Sequence, residues 1–534
     1  MKISRIIDIF LSVVIGIAGI IYLYNKYSGQ LPRKADSDQW QKLNLILKHI
    51  EKNYVDTLDY NKMTEAAIVA ALEKLDPHSV YIPPVKLEEM EQELEGNFDG
   101  IGIQFNVPND TVVVLEVISG GPSEKAGLKQ GDRIVKVGDK VIAGVNFPQD
   151  SMVRRMKGKA GTEVDILVKR GGEEIPFKVT RGKIPVHCVD AAFMVDSTTG
   201  YIRLAKFTRT TFMEVTAASG ELLKQGMTHL IFDLRGNSGG FFDQSLLLSN
   251  MFLEKGREIV YIKGLHREKE TYTADGTGSM LNVKLSVLID ESSASSSEIF
   301  AGAIQDNDRG LIYGRRSFGK GLVQEPLHFT DNSAIRLTVA RFHTPSGRCI
   351  QKSYEDYDMD IYNRFAHGEL YNRDSIKVDT SDVYFTVSGR KVYGGGGIIP
   401  DVFVPIDTTT VTDFYYACSK KATPMRFAAS MYDKYTTALS SIDDFDKLLE
   451  FLDKLNIKSR FIDYAYRVDG ISIKKGEWEA SEPYLMPLLR AMIGRYSKLS
   501  NNAFQKLYMD VDEVCKEVMR QNAEEVMNLN SIEQ

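Results

Sequence analysis

The stretch Lys284-Leu-Ser-Val-Leu-Ile-Asp-Glu-Ser-Ser-Ala-Ser-Ser-Ser-Glu298 decides the reading of this chain. It opens on a short apolar run, Lys284–Asp290, of the kind that forms a buried strand. It passes through Ser292–Ser297 into a helix that begins near Ser296 and continues over Glu298–Gln305. A hydroxyl at such a strand-to-helix turn lies beside free N–H groups and the positive end of the helix. That setting suits a nucleophile and a developing oxyanion. The same residues carry a plainer reading, because Ser295-x-x-Glu298 is also a capping box.

The neighbouring segments repeat the alternation of strand and helix. Thr228–Leu234 reads as a buried strand and ends in Arg235-Gly-Asn-Ser-Gly-Gly240, with a helix following near Asp243–Phe252. Glu258–Ile262, Leu311–Gly314 and Ala334–Ala340 read as further strands. Together they define an α/β core. A glycine pair after a buried strand exposes backbone N–H groups where sites gather in α/β sheets. Gly239 or Gly240 is placed to give one oxyanion donor and the Ser296 amide the other. The alternative is a tight turn that needs positive φ.

A second segment, Ser317-Phe-Gly-Lys-Gly-Leu-Val-Gln324, sets Lys320 between two glycines. A serine is a weak nucleophile until a base takes its proton, and a lysine is that base only where its surroundings keep it neutral. Gln324 is spaced to orient the amine, although most lysines are simply solvated. If a serine of the 292–297 turn meets Lys320, the chain cleaves an acyl bond, and a peptide is the expected substrate.

From Gly96 to Gly182 the texture changes to short strands and glycine turns, including Ser119-Gly-Gly-Pro-Ser-Glu-Lys-Ala-Gly-Leu128, and it resembles a PDZ domain. In that pattern Gly100, Ile101, Gly102 and Ile103 would offer amides to a terminal carboxylate and a strand edge to a peptide. Met152 and Met156, one helical turn apart, line the side-chain pocket or else belong to the core. Two amphipathic helices precede this region. After Thr409 the chain is mostly helical, with Phe445, Leu448, Leu452 and Leu455 on one face and Phe504, Leu507, Val511, Val514 and Val518 on another.

The chain has 534 residues, 43% of them hydrophobic, a net charge of -6 and no long basic run, which argues against a nucleic-acid partner. Lys2 and Arg5 precede a segment uncharged from Ile9 to Tyr24, with no Ala-x-Ala site after it. This reads as an uncleaved signal anchor, with the bulk of the chain in the periplasm or another extracytoplasmic space. Cys188, Cys349, Cys418 and Cys515 lie far apart and show no metal-ligand spacing, and the sequence cannot pair them.

The ordered motifs also include Leu75-Asp-Pro-His-Ser-Val-Tyr81, His343-Thr-Pro-Ser-Gly-Arg348 and Gly397-Ile-Ile-Pro-Asp-Val402. The chain thereby resembles the carboxyl-terminal processing, or tail-specific, proteases from about Leu75 to Asp407. The resemblance implies an α/β multidomain protein with a crotonase-like protease core and an inserted PDZ domain. It also implies Ser295 as nucleophile, Lys320 as base and Gln324 as its support, with no metal or cofactor. The division expected is 1–28 anchor, 29–95 helical, 96–182 PDZ, 183–408 protease core and 409–534 helical. Ser296 stands where the family often has alanine, and Ser292, Ser293 and Ser297 are rival nucleophiles. The expected partners are proteins or peptides with free C-termini, the membrane and, through the helical regions, a second copy of the chain. Rival readings are a serine–histidine–aspartate hydrolase, a PDZ scaffold that binds tails without cutting them, and a protease gated by its PDZ domain.

Overall fold

The structure, a computed structural model, describes residues 34–532 except Pro108, Asn109, Asp356 and Thr410. The proposed anchor, residues 1–28, lies outside the described residues. Among those described, no helix is long and apolar enough to cross a membrane. The chain divides into two units, before and after the Lys74–Leu75 bond. In the first, helices span Lys34–Asn53 and Tyr60–Leu72, the second capped by Asp59, whose side chain accepts the Lys62 amide. Leu43, Leu45 and Ile46 of the first helix are exposed.

The second unit is built on a six-stranded sheet in the order Val189–Met194, Thr199–Leu204, His229–Asp233, Lys284–Ile289, Leu311–Gly314, Val402–Phe403. The first pair is antiparallel and the rest are parallel. Alternation along the strands explains their apolar sequences. Leu230, Phe232, Leu285, Val287 and Ile289 face one core, with Ile299, Phe300 and Ile304 of helix Ser296–Asp306. Ile231, Leu288, Tyr201 and Tyr313 face a second core with Val514, Cys515 and Val518 of the C-terminal helix Glu513–Ile532. A strand covered on both faces has no polar side to show.

A second sheet, antiparallel throughout, carries Val80–Ile82, Ala334–His343, Glu258–Lys263 and Glu270–Thr273, with Leu322–His328 also paired to Ala334–His343. The segment read from sequence as a lysine loop therefore continues into a strand. A β-rich region has strands Ile103–Asn106, Val112–Val117, Arg133–Val137, Glu163–Arg170 and Glu173–Thr180 in one sheet and helix Gln149–Met156 beside it. Gly102, at φ +77°, separates Ile103–Asn106 from the preceding strand Asn97–Gly100. Asn97–Gly100 pairs with Gly182–Pro185.

The C-terminal region is helical, as its stripes indicate. The stripe Phe504–Val518 is split at Asp512, so that Leu507 packs in the core of that region and Val514 and Val518 pack under the main sheet. All four cysteines are free thiols.

Candidate active site

Strand Lys284–Ile289 delivers the chain to the serine turn at the C-terminal edge of the sheet, next to the end of His229–Asp233. Asp290 organises the turn by accepting the amides of Ser292 and Gly236, both at 3.0 Å. The hydroxyls of the run separate the rival serines. Ser293 Oγ donates to the Leu234 carbonyl at 2.8 Å, Ser296 Oγ to that of Gly240 at 3.0 Å and Ser297 Oγ to that of Asn237 at 2.9 Å. All three residues are buried and Ser292 is exposed. Ser295 is half-buried, and its hydroxyl donates to no carbonyl among the described residues. It stands just before helix Ser296–Asp306 at φ +56° and ψ −114°, a backbone state that costs a residue with a Cβ about 1–2 kcal/mol.

Glu298 joins this turn to the lysine loop. Its carboxylate is fully buried. One oxygen, Oε2, accepts the amides of Ser295 at 2.8 Å and Lys320 at 2.9 Å. The other, Oε1, accepts the Gly319 amide at 2.7 Å and the Ser317 hydroxyl at 2.5 Å. Burial pushes its carboxyl up from the ordinary value, and these four donors oppose the rise. The return bond to the Ser295 amide is the capping-box bond, so the capping reading of the motif is correct. The same carboxylate also fixes the second segment, which a helix cap would not require. Phe318 adds a further tie, its amide donating to the Ser293 carbonyl at 3.0 Å.

Lys320 is largely withdrawn from water. Burial first, then the charge of Arg336, lower its amine from 10.5 to about 8, with Glu298 and Asp76 acting the other way. Gln324 lies on strand Leu322–His328, where its side-chain amide donates to the His78 carbonyl at 2.6 Å. No hydrogen bond joins it to Lys320 among the described residues. The loop that carries His78 is held by Asp76, whose carboxylate accepts the His78 and Ser79 amides, both at 2.8 Å, and the Ser79 hydroxyl at 2.7 Å. In the sequence this segment, Leu75–Tyr81, stands only as one of the ordered motifs of the resemblance. Its position behind Gln324 depends on a long-range contact that no local pattern signals.

The glycine turn divides between the two readings offered for it. The Gly239 amide donates to Asn237 Oδ1 at 2.9 Å. An Asx-type bond of this kind closes the turn. Gly239 is nonetheless required at its place. With φ +95°, a Cβ there would stand 2.7 Å from the Ala294 carbonyl oxygen and 3.0 Å from the Ser296 nitrogen. The amides of Gly240 and Ser296 form no hydrogen bond among the described residues.

In the β-rich region the Ile101 and Gly102 carbonyls accept the Ser123 and Ile118 amides, at 2.9 and 3.1 Å. Strand Ile103–Asn106 is an edge strand, paired on one side only. Met152 and Met156 are both buried in the hydrophobic core of the region with Ile101 and Val112. Of the histidines set against Lys320, His343 stacks on Tyr261 with ring centroids 4.5 Å apart, and none bonds to Ser295 among the described residues.

An α/β protein with a serine at a strand-to-helix turn, a half-buried lysine joined to that turn through Glu298 and an associated β-rich domain has the make-up of a serine-type peptidase. Comparison with known proteins agrees. Residues 198–361 match peptidase family S41, and residues 100–180 match the PDZ domain. A probable CtpA-like serine protease of Staphylococcus aureus (strain COL) is 33% identical over 344 residues, 64% of this chain and 68% of the relative. One from Staphylococcus epidermidis is 31% identical, covering 64% and 69%. Among solved structures, the photosystem II D1 C-terminal processing protease is 27% identical, covers 71% of this chain and 90% of its own, and has a TM-score of 0.37. The chain belongs to the CtpA-like serine proteases of family S41.

Proposed function

We propose that this peptidase is an endopeptidase that recognises protein C-termini through its PDZ domain and cleaves by a Ser295–Lys320 dyad. The observation that carries the reading is the Glu298 carboxylate, which accepts the amides of both Ser295 and Lys320 on one oxygen. Neutral Lys320 takes the Ser295 proton, and the alkoxide attacks the scissile carbonyl. The tetrahedral oxyanion is held by the Gly240 and Ser296 amides. Lys320 then gives its proton to the leaving amine, and water releases the acyl group through the same base. Gln324, with its N–H on His78, keeps its carbonyl oxygen for the lysine amine. At the other end of the substrate, the Gly100–Ile103 loop takes the terminal carboxylate and strand Ile103–Asn106 adds the peptide as a further strand.

We further assign an N-terminal membrane anchor over 1–28, an extracytoplasmic site of action and the division 29–95, 96–182, 183–408 and 409–534. Membrane fractionation and limited proteolysis test these. The exposed Leu43, Leu45 and Ile46 support a homodimer through the helical N-terminal region, which gel filtration at two concentrations tests.

The deciding experiment is turnover of a loosely folded reporter with an apolar free C-terminus by wild type, Ser295→Ala and Lys320→Ala, with a melting curve for each. Both variants are expected to fold and to be inactive. Cleavage by a folded Ser295→Ala variant would falsify the assignment of the nucleophile.

A further inference from the structure

The arginines of the second unit are, for the most part, satisfied. Arg235 is forked on Asp512, Arg316 on Glu369 and Arg348 on Gln305 and Asp306. Arg309, lacking an acid, gives its guanidinium to the carbonyls of Phe252, Met280 and Val283. Arg336 stands apart. It is half-buried and its Nε is buried without an acceptor. Its guanidinium has no hydrogen bond or ion pair among the described residues. Desolvating a cation without a partner is costly, and such a group calls for an explanation.

Its place in the sheet supplies one. In strand Ala334–His343, Arg336 pairs with Pro326 on one side and Val80 on the other, and Thr338 pairs with Gln324. Side chains two apart on a strand, and directly paired residues, share a face. Arg336, Thr338 and Gln324 therefore rise from one face of the sheet. On that face Thr338 bonds to Asp76 and Gln324 to His78, and the Arg336 charge is felt at both Lys320 and His78. The two acids of the site are already engaged. Asp76 accepts the His78 and Ser79 amides and the hydroxyls of Ser79 and Thr338, and Glu298 accepts four donors. Lys320 and Lys352 add to the positive field around His78.

We propose that Arg336 is a substrate-recognition residue that takes a carboxylate of the bound peptide beside the lysine end of the active site. This rests on the Lys320 reading above. Because the lysine serves the leaving amine, the carboxylate belongs to the departing fragment, either as an acidic side chain or as the free C-terminus of a short product. A guanidinium fits either by a forked, charge-assisted pair.

The test uses the full chain and synthetic peptides that differ only as Glu against Gln at each position after the cleaved bond, plus one pair with a C-terminal acid against amide. Wild type is expected to prefer one carboxylate-bearing member by about tenfold or more in kcat/KM, mainly through KM. Arg336→Gln is expected to bring that ratio close to one, and Arg336→Lys to retain part of it. A preference in a Glu/Gln pair assigns a side chain, and one in the acid/amide pair assigns the terminus. Arg336→Met, which keeps the aliphatic stem, replaces the glutamine variant if that fails to fold. The proposal is overturned if wild type shows no preference, if the preference survives in folded Arg336→Gln, or if the variant slows all peptides alike. Activity in Ser295→Ala would sink the dyad and leave the Arg336 ratio still readable.

Discussion

Lys320 must be neutral before it can accept a proton, and its amine is lowered from 10.5 to about 8 by burial and by Arg336. At pH 7 only about a tenth of the molecules then hold it neutral. With chemistry rate-limiting, kcat is expected to rise about tenfold per pH unit below 8 and to level off above it. A profile flat from pH 6 to 9 would remove Lys320 as the base (the window follows from the usual match of catalytic pKa to working pH, roughly). The same shift has a sign for stability. The folded protein binds this proton more weakly than the unfolded chain, so stability increases as pH rises from about 8 towards 10.5. Below that window the buried charge costs the fold something on the order of 3 kcal/mol. Lys320→Met should therefore melt higher than wild type at pH 7 while being inactive, and a lower Tm would contradict the burial argument. Glu298 predicts the opposite pairing of effects. In Glu298→Gln one carboxylate oxygen becomes an NH2 facing two donors, so the variant should lose both stability, by about 2–4 kcal/mol, and at least a hundredfold in kcat. Equal turnover by wild type and variant would show that the carboxylate only caps its helix.

At the scale of elements, the positive-φ turns fix how closely the serine helix approaches the neighbouring strand. At Gly239 a Cβ would press on the Ala294 carbonyl and the Ser295–Ser296 peptide, so Gly239→Ala should push the glycine turn off the helix terminus. The expected result is a fall in kcat of about a hundredfold with a modest change in KM, read by steady-state kinetics. Unaltered kcat would separate this turn from the oxyanion. The strands and helices around these turns were legible because each is a short apolar run or a 3.6-period stripe closed by turn residues. Thr228–Leu234, Lys284–Asp290 and Glu298–Gln305 lie within a residue or two of His229–Asp233, Lys284–Ile289 and Ser296–Asp306. Strand Leu322–His328 was not legible, since its half-exposed sequence and Pro326 lack the alternation of a buried strand. The partners inside the site were the hardest to read. Glu298 was visible as a cap, but its bonds to Gly319 and Lys320 depend on two segments meeting in space. The engagement of Gly239 by Asn237 is a side-chain choice that two glycines in a row do not reveal.

For the whole molecule, the C-terminal helical region is integral to the protease sheet. It reaches the PDZ domain, where Leu115 packs into its core and Arg133 pairs with Asp433 at 2.5 Å. It also reaches the strand that leads to the glycine turn. There Asp512 accepts both terminal nitrogens of Arg235, at 2.8 and 2.6 Å, and Arg235 in turn holds the fully buried Asp233. Asp512 Oδ1 also takes the Val514 and Cys515 amides, capping the helix that covers Tyr201, Ile231 and Leu288. One residue thus performs two jobs that substitution can separate. Asp512→Asn keeps an oxygen for the helix amides but leaves the half-buried Arg235 charge with Asp233 as its one remaining carboxylate. Removing one partner of a buried ion pair costs about 3–5 kcal/mol, whereas losing a cap costs about 1. Chemical denaturation of Asp512→Asn should therefore show a loss near the larger figure, and Asp512→Ala should add only about the smaller one. If Asp512→Asn falls by no more than a cap is worth, the Arg235 pair does little to dock the helix, and the apolar contacts of Val514, Cys515 and Val518 must hold the region to the sheet unaided.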